Sequence, residues 1–189
     1  MKKIIISSFI LILFFANTVN AQEKYFTRSG AISFNAEGAL DDMEEIRANT
    51  NTATCVIDAA TGQMEWAVLM KSFQFKNALM QEHFNENYVE SSKYPKASFK
   101  GIIENPLAVN WGKDGSYPVT VKGQMTLHGV VKEITSAGVV TVSKGIITAA
   151  SDVTLMLGDY DIEIPALVGN KVSKEVKVRV DSSLYKLVQ

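Results

Sequence analysis

The chain has 189 residues, with 19 lysines and arginines against 20 aspartates and glutamates, for a formal net charge of −1. That balance excludes the basic surplus a nucleic-acid binder carries, and the length suits one domain with a sizeable core. Cys55 is the single cysteine, so no internal disulfide can form in any compartment.

The N-terminus carries an export pattern. Lys2 and Lys3 precede a 12-residue run, Ile4 to Phe15, interrupted only by Ser7 and Ser8. Val19-Asn20-Ala21 then supplies small residues at the −3 and −1 positions of a signal-peptidase site. The run falls short of the roughly 20 residues of a membrane-spanning helix. Gln22 follows the cut, not the cysteine of a lipid anchor. Residues 1–21 are therefore expected to be a cleavable signal peptide, and residues 22–189 one domain without stable membrane insertion. The mature chain would keep 168 residues (189 less 21) and 17 basic against 20 acidic groups. Its expected place is the periplasm where the cell has an outer membrane, and the medium otherwise.

Along the mature chain, alternation of apolar and polar residues dominates. Ala36–Ala48 is an exception, acidic and with Leu40, Met43 and Ile46 at helical spacing. Thr52–Ile57 reads as a strand holding Cys55 as a small buried hydrophobe. Thr61-Gly62 would close a hairpin to the next strand, where Met64, Trp66, Val68 and Met70 share one face. Asn77–Glu90 places Met80, Phe84 and Tyr88 at helical spacing, over one end of the fold. Pro95 forces Tyr94 into an extended conformation, and the strand with Ala97, Phe99, Gly101 and Ile103 on one face follows. Asp114-Gly115 is a hairpin cue ahead of the longest alternation, Tyr117, Val119, Val121, Gly123, Met125 and Leu127. Further turn signals stand at Ser143-Lys144-Gly145 and Gly158-Asp159, before a last strand with Val176, Val178 and Val180 on one face.

The pattern is all-β with short helices. Seven to nine antiparallel strands with one apolar face leave a two-sheet sandwich or a closed barrel. Strand length and bulky inward side chains favour the barrel. A small barrel of about eight strands has an interior that fills with side chains or holds one small ligand. Period alone does not choose between those outcomes. Gly123 and Gly129, placed at alternate inward positions, leave room for a bulky neighbour or for a ligand.

Three segments carry a resemblance. They are His83–Phe99, with Lys93-Tyr94-Pro95-Lys96-Ala97-Ser98-Phe99 at its end; Gly123–Lys132, reading Gly-Gln-Met-Thr-Leu-His-Gly-Val-Val-Lys; and the hairpin Asp58–Gly62 leading to Ser72-Phe73-Gln74-Phe75. Together they resemble the YceI-like family of exported proteins, whose fold is an antiparallel lipocalin-like β-barrel of about eight strands. Some members hold a polyisoprenoid chain lengthwise in the barrel. The chain departs from the family at Met156–Ile162 and in its acidic segment 41–47. The resemblance implies a lipid-binding protein with a long-chain, polyisoprenoid-like ligand, no chemical step and no other cofactor. Trp66, Val68, Met70, Phe99, Ile103, Val119, Val121, Met125 and Leu127 would then line the interior. Lys93, Lys96 and Lys132 are the candidates for a polar head group, against the plainer reading of solvated surface lysines.

Other chemistry has little support. His128 falls on the polar face of its strand and His83 on the helical stretch, 45 positions apart and without the local partners of a zinc site. No nucleophile motif or glycine-rich phosphate loop is visible. Asp41, Asp42, Glu44 and Glu45 lack the ligand pattern of a calcium loop. Two alternatives remain: a packed barrel that docks a partner through segment 41–47, and a small-molecule hydrolase using a histidine. Monomer and homodimer both stay open. The exported protein is expected to begin at Gln22 when its intact mass is read. A 189-residue chain in the exported fraction would contradict the signal peptide.

Overall fold

The computed structural model describes residues 23–38, 46–166, 169 and 172–187. The expected signal peptide and the acidic residues 41–45 lie outside the described residues. Nine strands follow the alternation: β1 (Lys24–Glu37), β2 (Arg47–Asp58), β3 (Gln63–Leu69), β4 (Gln74–Phe75), β5 (Lys96–Ile103), β6 (Gly115–Leu127), β7 (Val130–Ser143), β8 (Ile146–Met156) and β9 (Val172–Lys186). The one α-helix among the described residues, α1 (Ala78–His83), lies between β4 and β5.

The strand order is β1-β9-β8-β7-β6-β5-β3-β2-β4, every pair is antiparallel, and β1 also pairs with β2 from Lys24↔Asp58 to Asn35↔Arg47. That last pairing closes eight strands into a barrel and leaves β4 as a two-residue addition to β2. Closure removes the free sheet edges that a sandwich would keep. The architecture is the antiparallel barrel expected from the sequence.

Turn chemistry fixes the register. β6 and β7 are joined by His128-Gly129, with φ of 52° and 77°, and β7 and β8 by Lys144-Gly145, with 49° and 79°. Both are two-residue loops with two positive φ values, the type I′ geometry that matches strand twist. At the β2–β3 hairpin the Asp58 carboxylate accepts from the amides of Ala60 and Thr61, and Gly62 takes a φ of 74°. Asp114-Gly115, expected to close a hairpin, does not. Its aspartate accepts from the Lys144 amide at 3.0 Å and ties the β5–β6 connection to the neighbouring turn. His128, expected on the polar face of a strand, and Gly129, expected inward in a strand, are the turn itself. The helix-like reading of Ala36–Ala48 fails at both ends, where Ala36 and Glu37 finish β1 and Arg47 and Ala48 begin β2. The Ala36 amide bonds the Ile46 carbonyl at 2.9 Å, extending the ladder there.

The barrel has two unlike ends. At the lower end, Ile57, Ile103, Ile147 and Leu184 are fully buried. The β5–β6 connection adds Val109 and Trp111, and Trp111 stacks on Tyr25 with ring centroids 5.5 Å apart. These side chains form a plug. The upper end holds α1 and the tops of β1, β6 and β8.

Between the ends, Gly101 of β5 faces Gly123 of β6. A Cβ on Gly123 would lie 2.3 Å from the Lys100 carbonyl oxygen and 2.4 Å from the Gly101 Cα, and one on Gly101 would meet the Phe99 ring. The glycine pair thus makes room for a bulky neighbour, Phe99. Gly123→Ala is expected to cost about 1–3 kcal/mol through overpacking, seen as a lower urea midpoint. Gly158→Ala, where a Cβ meets nothing within 4 Å, is expected to stay within about 0.5 kcal/mol of the parent. Equal midpoints for the two variants would contradict this account of β5 and β6.

Candidate functional site: an apolar cavity in the barrel

Above the plug the barrel holds a cavity of about 240 Å³. That is room for many waters, so this is no packing defect. The cavity exists because inward positions of the upper barrel carry small residues: Ala97 on β5, Ser136 and Gly138 on β7, Ala149 and Ser151 on β8.

Trp66, Val68, Met70, Phe99, Val119, Val121, Met125 and Leu127 all line the cavity. Ile103 does not. As the last residue of β5, it bonds its amide to the Gly62 carbonyl at 2.9 Å and packs at the lower end, so alternation placed it on the correct face but at the wrong depth. Sequence reasoning missed much of the opposite wall: Ile32 and Phe34 on β1, and Ala149, Val153 and Leu155 on β8. Those of β8 form a period-two run from Ile147 to Leu155, whose small and hydroxyl members weaken the apolar signal.

The upper end is covered by aromatic side chains. Phe84 stacks on Phe34 at 5.5 Å and lies 5.0 and 5.9 Å from the rings of Phe75 and Phe73. Asn77 caps α1, accepting from the amides of Leu79 and Met80, and the Gln81 side chain accepts from the Phe75 amide, which ties the helix to β4. The helix then widens into a π-turn over Phe84–Tyr88, closed by the Val89 amide on the Phe84 carbonyl at 3.0 Å. Such wide turns are rare and concentrate at functional sites. Here it helps bring Met80, Phe84 and Tyr88 to the cavity.

The lining is nearly all carbon. Two inward hydroxyls, Ser136 and Ser151, stand 2.8 Å apart, and Ser151 donates to the Ala137 carbonyl at 2.8 Å. The candidate lysines lie elsewhere. Lys93 sits over the Tyr94 ring, 4.8 Å from its centroid, and 3.9 Å from Glu90. Tyr94 first and the Glu90 carboxylate second hold its ammonium above the usual lysine range. Lys96 opens β5 opposite Leu69, on the outer alternation. Lys132 pairs with Met125 on the cavity-facing alternation of β7, yet it is exposed and makes no ion pair among the described residues.

His128 is a clamp. Its Nδ1 donates to the Tyr160 carbonyl at 3.0 Å, and its Nε2 lies 2.8 Å from Glu90 Oε2. Tyr94 packs edge-on against the ring at 4.5 Å. Both nitrogens are engaged, and neither partner is a hydroxyl or thiol nucleophile. His83 is the last residue of α1. Among the described residues no group of three or more His, Cys, Asp or Glu side chains could hold a metal ion.

A family model for the YceI-like domain matches residues 18–184. The chain belongs to the YceI-like family. Solved structures of similar shape agree with that membership. A polyisoprenoid-binding domain from Saccharophagus degradans, implicated in plant cell wall breakdown, is 15% identical with a TM-score of 0.74, over 88% of this chain and 99% of that one. Burkholderia cenocepacia BcnA is 14% identical with a TM-score of 0.66, over 82% and 95% of the two chains. A Campylobacter jejuni YceI protein is 14% identical with a TM-score of 0.60, over 78% and 88%. At these identities the likeness concerns the fold. No curated protein matches the sequence.

In this YceI-like barrel Cys55 pairs with Trp66 in the ladder, fully buried, and burial pushes its thiol far above the ordinary range. The thiolate is the reactive form. Ellman's reagent is therefore expected to leave the native protein unmodified over hours and to titrate one thiol in denaturant. Rapid native labelling would contradict the packing of β2 on β3.

Proposed function

We propose that this chain is an exported carrier that holds one long apolar, polyisoprenoid-like chain inside the barrel and performs no chemical step. The carrying observation is the cavity itself, whose two inward hydroxyls are already bonded to one another and to the backbone. Each methylene buried in such a lining contributes roughly 0.8 kcal/mol, so a long chain gains affinity by area without polar recognition. Met70, Met80 and Met125 suit this task, because an unbranched thioether side chain adapts to irregular shapes. The Saccharophagus domain described as polyisoprenoid-binding supports the ligand class. The export pattern of residues 1–21 supports a place outside the cytoplasm. Of the three candidate lysines, Lys132 is the one on the cavity-facing alternation, which supports it over Lys93 and Lys96 as the contact for an acidic head.

Native mass spectrometry of the exported protein, followed by solvent extraction, tests the reading. A stoichiometric long-chain lipid, or uptake of an added polyprenol by the apo protein, is the expected result. An apo mass that accepts no polyprenol would overturn it and move the weight to a packed interaction module. Val121→Trp, which fills the cavity without adding charge, is expected to weaken polyprenol binding by about tenfold or more, the equivalent of ~1.4 kcal/mol.

A further inference from the structure

The barrel is closed as a ring of strands, but one of its seams is open along part of its length. β7 pairs with β8 only from Ser143↔Ile146 to Gly138↔Ser151. Above that point β7 stays paired with β6 through Leu127↔Val130, and β8 stays paired with β9 through Met156↔Glu175. Residues Val130–Ala137 and Asp152–Met156 therefore each keep one neighbouring strand and lack the other. Unpaired backbone groups are costly when buried, so such edges persist where water or a ligand reaches them.

The parting of the strands is built. At the last rung the Ser136 and Ser151 hydroxyls bond each other, Ser151 takes the Ala137 carbonyl, and Ser136 lies 3.2 Å from the Asp152 carbonyl. These are the first groups beyond the ladder, and the serines satisfy them where valine or leucine could not. The upper margin is built as well. After β8 the chain turns through Leu157–Tyr160 and brings the Tyr160 carbonyl to His128, in the β6–β7 turn. The seam is thus a bounded slot, with serines below and the His128 clamp above.

Its sides belong to the cavity. Ile134 on β7 and Val153 and Leu155 on β8 flank the slot, and all three line the cavity. Lys132 shares the inward alternation of Ile134 yet is exposed, as an inward residue is when the strand beside it has moved away. Outside, the rim mixes exposed Val131 and Met156, at 53% and 46%, with exposed Glu133, Thr135, Asp152 and Thr154. Both ends of the barrel carry bulky side chains among the described residues. The lower is plugged around Trp111 and the upper carries the phenylalanine cluster around Phe84.

We propose that the slot between β7 and β8 is the portal through which the apolar chain enters and leaves the cavity, sideways between strands. This rests on the lipid-holding reading above. The slot lets a long chain slide in broadside past Ile134, Val153 and Leu155, while the serines and the clamp bound it below and above.

A staple across the slot tests the portal. Thr135 and Thr154 are both exposed, and extending the β7–β8 register beyond Gly138↔Ser151 sets them opposite one another. The double variant Thr135→Cys, Thr154→Cys would be bridged with a short bis-maleimide, and buried Cys55 is spared by its unreactive thiol. Uptake and release of cis-parinaric acid would be followed by its fluorescence in stopped flow. The portal predicts that the bridged protein loads and unloads about tenfold more slowly or worse, a barrier raised by ~1.4 kcal/mol. The same variant carrying two monofunctional maleimides is expected to keep the parent rates. Bridged rates within about twofold of those controls would overturn the portal and leave the lipid-holding reading standing. Absence of saturable probe binding to the unmodified protein would overturn both.

Discussion

Everything distinctive in this molecule depends on the closure of eight strands into one ladder through the pairing of β1 with β2. Closure fixes the width of the interior, and the inward side chains then either fill it or leave space. In the lower barrel Ile57, Ile103, Ile147 and Leu184, with the Tyr25–Trp111 stack, fill it. In the upper barrel the inward positions on β7 and β8 carry serine, glycine and alanine, and the same width leaves a cavity. Core and cavity are thus one apolar face, divided by side-chain size rather than by secondary structure.

The polar groups near the cavity serve its boundaries. The Ser136–Ser151 pair ends a ladder, Asn77 and Gln81 fix α1 over the aromatic cluster, and His128 joins the β6–β7 turn to Glu90 and Tyr160. Two of the residues in that last arrangement, Glu90 and His128, hold positive φ values of 43° and 52°. The His128 value belongs to the type I′ turn it shares with Gly129, and Glu90 takes its value, uncommon for a non-glycine residue, beside the turn it clamps. The interior itself presents apolar area and shape, with its two hydroxyls bonded to one another and to the backbone.

Much of this was legible in the sequence because period two is a strong signal. The runs through Trp66, Phe99, Val121 and Val178 gave strand identity and the inward face together, and the YceI-like blocks gave closure. Depth was not legible: Ile103 has the same alternation as Phe99 but sits in the plug, four residues along the strand. The wall built by β8 was obscured by the small residues that make the cavity possible. His128 was misplaced because histidine in a two-residue turn leaves no mark in a hydropathy pattern, although the glycine after it fits a type I′ turn. The acidic stretch after Ala36 read as helical through Leu40, Met43 and Ile46, yet its ends finish β1 and begin β2 and are joined by the Ala36–Ile46 backbone bond.

The central claim is that the upper barrel is an apolar container whose affinity comes from buried chain length. Titration with a homologous series of straight-chain alcohols addresses it most directly. The account predicts that each added methylene tightens binding by roughly fourfold, from about 0.8 kcal/mol per methylene, until the cavity is full and the gain levels off. Affinity independent of chain length across the series would contradict it, because a packed interior or a polar site would show no such slope.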